Sequence, residues 1–372
     1  MPQLHSKELL LKAAGGARLN FDEAVHLIKH ASLLDLGYAA NQVRQRFHPD
    51  DEPITYVIDR NVNYTNVCDA YCSFCAFYAA PGSKKSYVLP YEVIKAKIDE
   101  LVALGGTQLL IQGGHNPELG IEYYEELIGN IRRDFPSLTI HGFSPSEVDH
   151  ICRTSNLSLE ETLKRMIKAG LSSLPGGGAE MLVERVKGEI SPLKMPAARW
   201  LEVMKVAHRL GLKGTATMMY GTVETLEERI EHLMAVRDLQ DETAGFTAFI
   251  AWSFQPGNTG LSKKVDRLAT AADYLRMVAI SRLVLDNIAN IQTSWVTQGA
   301  GLGQSAFAFG ANDFGGTMME ENVVSAAGTY HHVTLGSMIK AIHQAGYDAA
   351  QRDTQYKILK VHPNTQAQPI SV

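Results

Sequence analysis

Cys68, Cys72 and Cys75 fall within eight residues, in the run Cys68-Asp-Ala-Tyr-Cys72-Ser-Phe-Cys75. Three thiolates this close make a soft, anionic site suited to iron–sulfur ligation. A [4Fe–4S] cube has four irons, so three protein thiolates leave one iron open to a ligand that is not protein. An open position is what separates catalytic metal sites from closed structural ones. Zinc and plain packing are the competing readings. A zinc site would want a second close pair of ligands, and no other Cys-x-x-Cys or nearby paired histidines accompany the triad. A disulfide framework is set aside, because the chain holds only four cysteines in 372 residues. The fourth, Cys152, falls on what reads as the apolar face of a helix and is expected as a buried thiol.

The remaining composition excludes several classes. With 372 residues and 45% hydrophobic side chains, the chain can bury a full core in one large domain or two ordinary ones. It carries 35 basic and 40 acidic residues, a net charge of −5, which argues against nucleic acid or an acidic membrane surface as partner. The first residues lack the basic-then-apolar form of a signal peptide, and no apolar run approaches the ~18–20 residues that span a bilayer. Unpaired cysteines fit a reducing compartment, so a cytoplasmic location is expected.

The elements that must position the cysteines follow a rhythm. Residues 7–48 read as helix, with apolar residues at helical spacing. Beyond them, short β-prone runs alternate with amphipathic helices. Strands are predicted over 54–62, 108–111, 138–143, 172–174, 214–219, 246–251, 291–295 and 306–309. Helices are predicted over 91–104, 121–134, 159–169, 197–210, 226–239 and 271–287. Ser158 and Thr225, each followed three residues later by a glutamate, are capping-box signals. Strand–helix alternation implies a parallel sheet, and eight such strands imply a closed (β/α)8 TIM-type barrel, with an open doubly wound sheet as the alternative. The expected layout is an N-terminal helical extension over 1–50 acting as a cap, a barrel over 51–350 and a C-terminal tail over 351–372, fraying from Asn364.

In such a barrel, function sits on the loops after the C-terminal ends of strands. The cysteines follow the first predicted strand, Gln112-Gly113-Gly114-His115 the second, and His141-Gly-Phe-Ser144 closes the third. Gly176-Gly-Gly-Ala-Glu180 follows the fourth, Met218-Met219-Tyr-Gly the fifth, Trp252-Ser-Phe254 the sixth, Gln298 the seventh and Asn312-Asp313 the eighth. Eight such loops around one mouth suggest one site. Gly299-Ala-Gly301-Leu-Gly303 lacks the full dinucleotide fingerprint and follows the seventh strand, so it is expected to line the site.

These motifs carry a resemblance. Tyr64-Thr-Asn-Val-Cys68 through Cys75-Ala-Phe-Tyr78, Gln112-Gly-Gly114, His141-Gly-Phe-Ser-Pro145, Gly176-Gly-Gly-Ala-Glu180, Thr215-Ala-Thr-Met-Met219, Phe254-Gln-Pro-Gly-Asn-Thr259 and Gly310-Ala-Asn-Asp-Phe-Gly315 occur in that order. Together they resemble radical S-adenosylmethionine enzymes of the group that contains the menaquinone-pathway futalosine enzymes and the deazaflavin synthase subunits. The resemblance covers roughly residues 20–350. Ile230-Glu-His-Leu, Trp295-Val-Thr-Gln-Gly299 and Thr317-Met-Met-Glu-Glu-Asn322 look most like the dehypoxanthine futalosine cyclases, while Asn116 and Gly142 depart from many relatives.

The resemblance implies that Cys68, Cys72 and Cys75 hold a [4Fe–4S] cluster whose open iron takes the amino and carboxylate groups of S-adenosylmethionine. An external electron donor of flavodoxin or ferredoxin type would then allow cleavage to methionine and a 5′-deoxyadenosyl radical. Glu180 is implied as a cofactor contact, with Ser144 a further candidate. Lys194 resembles in position a base that pairs with the methionine carboxylate, although a solvated lysine fits the same spacing. Gly113 and Gly114 offer bare backbone to the methionine amino group, or form an ordinary turn. Phe74 and Tyr78 would pack on the cluster or the adenine, or simply in the core.

The implied reaction is an intramolecular ring closure of a small nucleoside, dehypoxanthine futalosine. Hydrogen leaves ribose C4′, the carbon radical adds to the benzoate ring, and one electron and one proton are lost. That asks for a dry cavity, for which Met218, Met219, Trp252 and Phe254 are expected as lining. It asks for groups that hold the substrate, for which Arg60, His115, His141 and Gln298 are candidates. It asks for a base, for which Asp286, Asp313 and Glu320 are candidates if burial raises their proton affinity. A salt bridge, a hydrogen-bonded core histidine or a helix cap is the plain reading of each. The rivals are a sister enzyme on the same scaffold, either aminofutalosine synthase or a deazaflavin synthase subunit, and a protein whose cluster only carries electrons. The missing fourth cysteine argues against the last. Nothing in the sequence sets the oligomeric state.

Overall fold

The computed structural model describes residues 5–365. Its strands are β1 (Ile54–Val57), β2 (Asp59–Val62), β3 (Gln108–Ile111), β4 (Thr139–Gly142), β5 (Ser173–Leu174) and β6 (Lys213–Tyr220). They continue with β7 (Phe246–Ser253), β8 (Asn290–Gln292), β9 (Asp313–Gly316), β10 (Ala349–Arg352) and β11 (Ile358–His362). All lie in one sheet, in the order β11-β10-β1-β9-β8-β7-β6-β5-β4-β3-β2. Every neighbouring pair is parallel except β10 with β11.

The predicted first strand is two strands, broken at Ile58, and the break is where the barrel closes. β1 pairs with β9 on one side and β10 on the other, while β2 pairs with β3. One run of chain therefore joins β2, at one end of the curled sheet, to β1, beyond which lie β10 and β11 at the other. The predicted eighth strand is not a strand. Residues Ala306–Phe309 form a 3-10 turn, and Phe307 packs edge-on against Phe314 and Tyr347. Its place belongs to β9, Asp-Phe-Gly-Gly, a sequence with little strand propensity. Pairing demands it: Gly315 has φ 99°, and a Cβ on Gly316 would stand 2.3 Å from the Asp59 carboxylate.

The expected boundary at 351 does not hold. Arg352 ends β10, which lies between β1 and the start of β3, and β11 folds back on it. Gln351 Nε2 donates to the Gly105 carbonyl at 2.9 Å, and Thr354 Oγ1 donates to Gln108 Oε1 at 2.8 Å. Residues from 366 onward lie outside the described part.

Helices cover the outer face of the sheet. After β2 comes α4, and the three before it are α1 (Ser6–Ala14), α2 (Phe21–His30) and α3 (Leu33–Phe47). α4 (Tyr91–Ala103), α5 (Ile121–Asp134), α6 (Pro145–Ser155), α7 (Leu159–Ala169), α8 (Glu184–Ile190), α9 (Ala197–Arg209), α10 (Leu226–Thr243) and α11 (Ala271–Val284) follow the strands. Thr225 and Glu228 complete a reciprocal capping box on α10, and Ser158 caps α7 through the Glu161 N–H. The N-terminal helices do not cap the mouth. They pack along α10 and α11, where Arg237 donates to the Leu19 carbonyl and Arg276 to the Ala31 carbonyl. No described helix is long and apolar enough to cross a membrane.

Candidate active site at the barrel mouth

β2 delivers the chain into the cysteine loop at the C-terminal end of the barrel. Backbone bonds fix the loop: Cys68 N–H to the Ala79 carbonyl, Asp69 N–H to that of His115, and Ser73 N–H to that of Ile190. Tyr71 takes a left-handed φ of 46° in the turn between the first two cysteines. All three thiols are free; Cys72 is buried, and Cys68 and Cys75 are half-buried. Burial pushes the Cys72 thiol up to about 12, against the pull of Lys194, and raises that of Cys68 as well. Such thiols keep their protons until a metal's charge replaces them. Cys152 is buried in the hydrophobic core on α6. Three free thiols on one loop, with no fourth beside them, fit a [4Fe–4S] cluster that keeps one iron open.

Gly113 and Gly114 have a reason other than a turn. Neither has a positive φ. A Cβ on Gly114 would stand 2.1 Å from the Val67 carbonyl and 2.8 Å from Cys68 Cβ, and one on Gly113 would strike the Tyr64 ring at 2.6 Å. The loop after β3 therefore needs both glycines to lie against the cysteine loop. Glu147 secures the crossing. Its buried carboxylate accepts from Gly113 N–H at 2.8 Å, Tyr64 OH at 3.0 Å, and both N–H and Oγ of Ser144 at 2.8 Å. Ser144 is thus the cap of α6, with its hydroxyl already engaged.

Glu180 ends the glycine run after β5. Thr215 Oγ1 accepts from the Gly176 N–H at 3.0 Å, and Thr217 Oγ1 donates to the Gly176 carbonyl at 2.7 Å. Lys194 Nζ reaches Glu180 Oε1 at 3.0 Å and lies 5.8 Å above the Phe74 ring. Lys194 is not solvated; its side chain is 13% exposed. Burial by itself would lower the lysine's pKa, but the Glu180 carboxylate outweighs it and holds the ammonium charged. Lys187 Nζ stands 3.6 Å from the other Glu180 oxygen. Burial favours a protonated Glu180, and the two lysines outweigh it, so its pKa falls below the usual range. Tyr78 packs edge-on against Tyr71 at 5.7 Å within the cysteine loop.

Inside the barrel lies a cavity of about 310 Å³, and Glu180 and Gly176 to Gly178 form part of its wall toward the cysteines. His141 lines it, bonded through Nδ1 to Ser173 Oγ at 2.6 Å, and burial pushes its pKa down to about 3. Trp252 lines the upper part. Asp59, Gln108, Arg352 and Tyr356 meet at the lower end. Asp59 accepts from the Met318 N–H at 2.9 Å and Gln108 Nε2 at 3.2 Å, and burial pushes its carboxyl up to about 6.

Several predicted site residues lie elsewhere. Met218 is fully buried in the core on the outer face of β6, and its neighbours Thr215 and Thr217 face the cavity instead. Arg60 faces α4, where Glu100, Glu320 and the Lys97 carbonyl use its donors. Glu320 is tied down by Lys97, Asn322 and Arg60; burial alone would raise its pKa, but these partners lower it. Asp286 lies on the loop before β8, at the opposite end of the barrel from the mouth, bonded to Arg18 at 2.9 Å. Asp313 is buried, bonded to Thr55 Oγ1 and held bidentately by Arg352 at 2.5 and 2.9 Å. His115 lies outside the cavity, stacked on His150. Gln298 donates to Ser253 Oγ at 2.6 Å near the rim. Residues 300–305 form a short helix rather than a lining loop.

Comparison with known proteins decides the family. Residues 62–236 match the Radical SAM superfamily, and residues 243–365 match the CofH/MqnC C-terminal region. The chain is 51% identical over 360 residues to cyclic dehypoxanthine futalosine synthase of Halalkalibacterium halodurans, covering 96% of each chain. The protein of the same name from Streptomyces coelicolor is 48% identical over 97% of this chain and 91% of its own. The chain belongs to the cyclic dehypoxanthine futalosine synthase family of radical SAM proteins. A 5-amino-6-(D-ribitylamino)uracil–L-tyrosine 4-hydroxyphenyl transferase from Methanococcoides burtonii is 40% identical over 86% of this chain and 90% of its own. Among solved structures, the FeFe-hydrogenase maturase HydG from Carboxydothermus hydrogenoformans overlays with a TM-score of 0.74 at 16% identity, covering 94% of this chain and 80% of that one. Methylornithine synthase (PylB) overlays at 0.71 with 18% identity, covering 91% and 96%. Both support the barrel fold.

In this radical SAM protein, Cys68, Cys72 and Cys75 hold the [4Fe–4S] cluster, and S-adenosylmethionine is its second cofactor. Glu180 faces Lys194 by the cysteines on one side and the cavity on the other. Sequence reasoning missed Asp59, Glu147 and Arg352. The signal for Asp59 was present, as a charged residue inside an apolar strand on the same face as Val57.

Proposed function

We propose that the protein closes a ring within dehypoxanthine futalosine to give cyclic dehypoxanthinylfutalosinate, a step of menaquinone biosynthesis. The observation that carries this is the 51% identity to a cyclic dehypoxanthine futalosine synthase across 96% of both chains. The margin over the 40% of the tyrosine-dependent transferase favours one substrate closing on itself over the coupling of two.

The cluster and S-adenosylmethionine, when bound, supply a radical that removes hydrogen from ribose C4′. The chain's residues do the rest. The barrel wall and Trp252 keep the cavity dry while the ring carbon bond forms. His141, neutral at working pH, and the cavity threonines offer uncharged hydrogen bonds to the nucleoside. Closure onto the benzoate ring leaves one electron and one proton to remove. Asp59 takes the proton: it is the cavity carboxylate with a raised pKa, and Arg352 already neutralises Asp313. The electron returns to an acceptor outside the chain, and the reducing electron comes from a flavodoxin- or ferredoxin-type donor in the cytoplasm.

The test is anaerobic reconstitution, reduction, and addition of S-adenosylmethionine with dehypoxanthine futalosine. The reading expects 5′-deoxyadenosine together with a product two hydrogens lighter than the substrate. Product formation that requires a second substrate such as tyrosine would overturn it.

A further inference from the structure

Three ligand-type side chains converge beside the cysteine loop, outside the barrel cavity. They are Asp69, His115 and His150, and one ligand atom of each lies within 4.8 Å of the others. The two imidazole rings stack with centroids 4.9 Å apart and planes inclined by 24°. His115 is 3% exposed and His150 2%, and none of their four ring nitrogens has a hydrogen-bond partner. The Asn116 carbonyl lies beside His150 without reaching hydrogen-bond geometry. Asp69 Oδ1 stands 4.0 Å from His150 Nδ1. Buried polar groups are nearly always satisfied, so two imidazoles with every nitrogen open require something else to bond.

We infer that Asp69, His115 and His150 form a site for one divalent first-row transition ion, of the class of zinc or ferrous iron. Two imidazoles and one carboxylate are the donor set such ions take, with a position left over for water. Ligand atoms around one ion sit roughly 3.3 Å apart when each is about 2.0–2.1 Å from the metal. The three atoms lie within 4.8 Å of one another, so no pair need close by more than about 1.5 Å. Asp69 can move toward the histidines, since its side chain is 43% exposed, and it gives the ion an entry path. Of the cations that act on His115, Lys194 is paired with Glu180 and Arg153 with Asp149.

The position gives the ion a purpose. Asp69 follows Cys68, His115 follows Gly114, and His150 stands on α6. One ion would clamp the cysteine loop, the glycine loop and α6 where Gly114 lets the first two cross.

The test uses the full chain with its cluster reconstituted anaerobically and loosely held metal removed on a chelating resin. Dialysis against micromolar zinc chloride is followed by counting zinc and iron per chain by mass spectrometry. One retained zinc in addition to the four cluster irons is expected, lost in His150→Gln and in Asp69→Asn with iron unchanged. In the second arm, reconstitution with 57Fe should place a high-spin ferrous doublet beside the cluster signal in the Mössbauer spectrum of the wild type, absent from both variants. Asp69→Asn alters an exposed side chain and keeps the test open should His150→Gln fail to fold. No retained ion in either arm, equal retention in the variants, or zinc gained only as iron is lost would each overturn the site.

Discussion

Glu180 Oε1 accepts from Lys194 Nζ at 3.0 Å, where the cavity wall approaches the cysteine loop. Removing one member of a buried pair strands the other, at a cost of about 3–5 kcal/mol. Glu180→Gln should leave two buried ammoniums, Lys194 and Lys187, without an anion. Its melting temperature should fall, and its dissociation constant for S-adenosylmethionine should rise at least tenfold in equilibrium dialysis. Adding Lys187→Met should restore part of the stability and none of the affinity. An affinity left intact would reduce Glu180 to a structural role.

Cys72→Ser should lose the cluster's absorbance and, with it, 5′-deoxyadenosine formation. Cys72 is the most buried of the three ligands, and a hydroxyl there keeps its proton. Turnover by this variant would refute the assignment.

Gly114→Ala places a methyl 2.1 Å from the Val67 carbonyl, which is backbone and cannot step aside. Overpacking of this kind costs about 1–3 kcal/mol or more. The variant should incorporate less iron and melt earlier. Gly129→Ala is the control, inside α5 with nothing within 4 Å of the new Cβ. It should gain roughly 0.5–1 kcal/mol, because alanine loses less backbone freedom in a helix.

Asp59 sets a pH dependence with a definite sign. Its folded value of about 6 lies above the unfolded value near 3.9. Between those values the folded chain holds a proton that the unfolded chain has released. Stability therefore falls as pH rises from about 4 to about 6, by about 3 kcal/mol in all, and stays lower above that. Asp59→Asn removes the penalty, so denaturant unfolding should show the variant gaining on the wild type at pH 8 and not at pH 4. Activity should move the other way. Wild-type turnover should rise with pH through about 6, and Asp59→Asn should lose on the order of 100-fold. An unshifted profile would exclude Asp59 as the base.

The cysteines were legible because metal ligation depends on local spacing, whereas Gly113 and Gly114 answer to contacts with Tyr64 and Val67, far from them in sequence. The N-terminal helices and most strands were legible from periodicity, and the alternation Thr215-Ala-Thr-Met218 already put the threonines and Met218 on opposite faces. Counting that alternation would have kept Met218 out of the cavity. Other features depend on contacts far apart in sequence. Ala306-Phe-Ala-Phe309 has the composition of a strand and Asp313-Phe-Gly-Gly316 has not, yet pairing with β1 and room for Asp59 select the second. Arg60 and Glu320 each had a salt bridge as the plain reading, but only the fold showed that they make it with each other. Arg352 was hidden in a stretch that looked like a tail, 39 residues from its partner Asp313.

The place of β10 also dictates an order of events. Arg352 and Tyr356 shape the lower end of the cavity, and they are translated after β1 to β9. While the ribosome is still making them, β1 has β9 available on one side but an unpaired edge on the other. The nascent chain is an open gutter, with buried Asp313 lacking its cation and a strand edge free to mispair. A protein truncated before Ala349 would keep all three cysteines and lose the vessel in which their chemistry is contained.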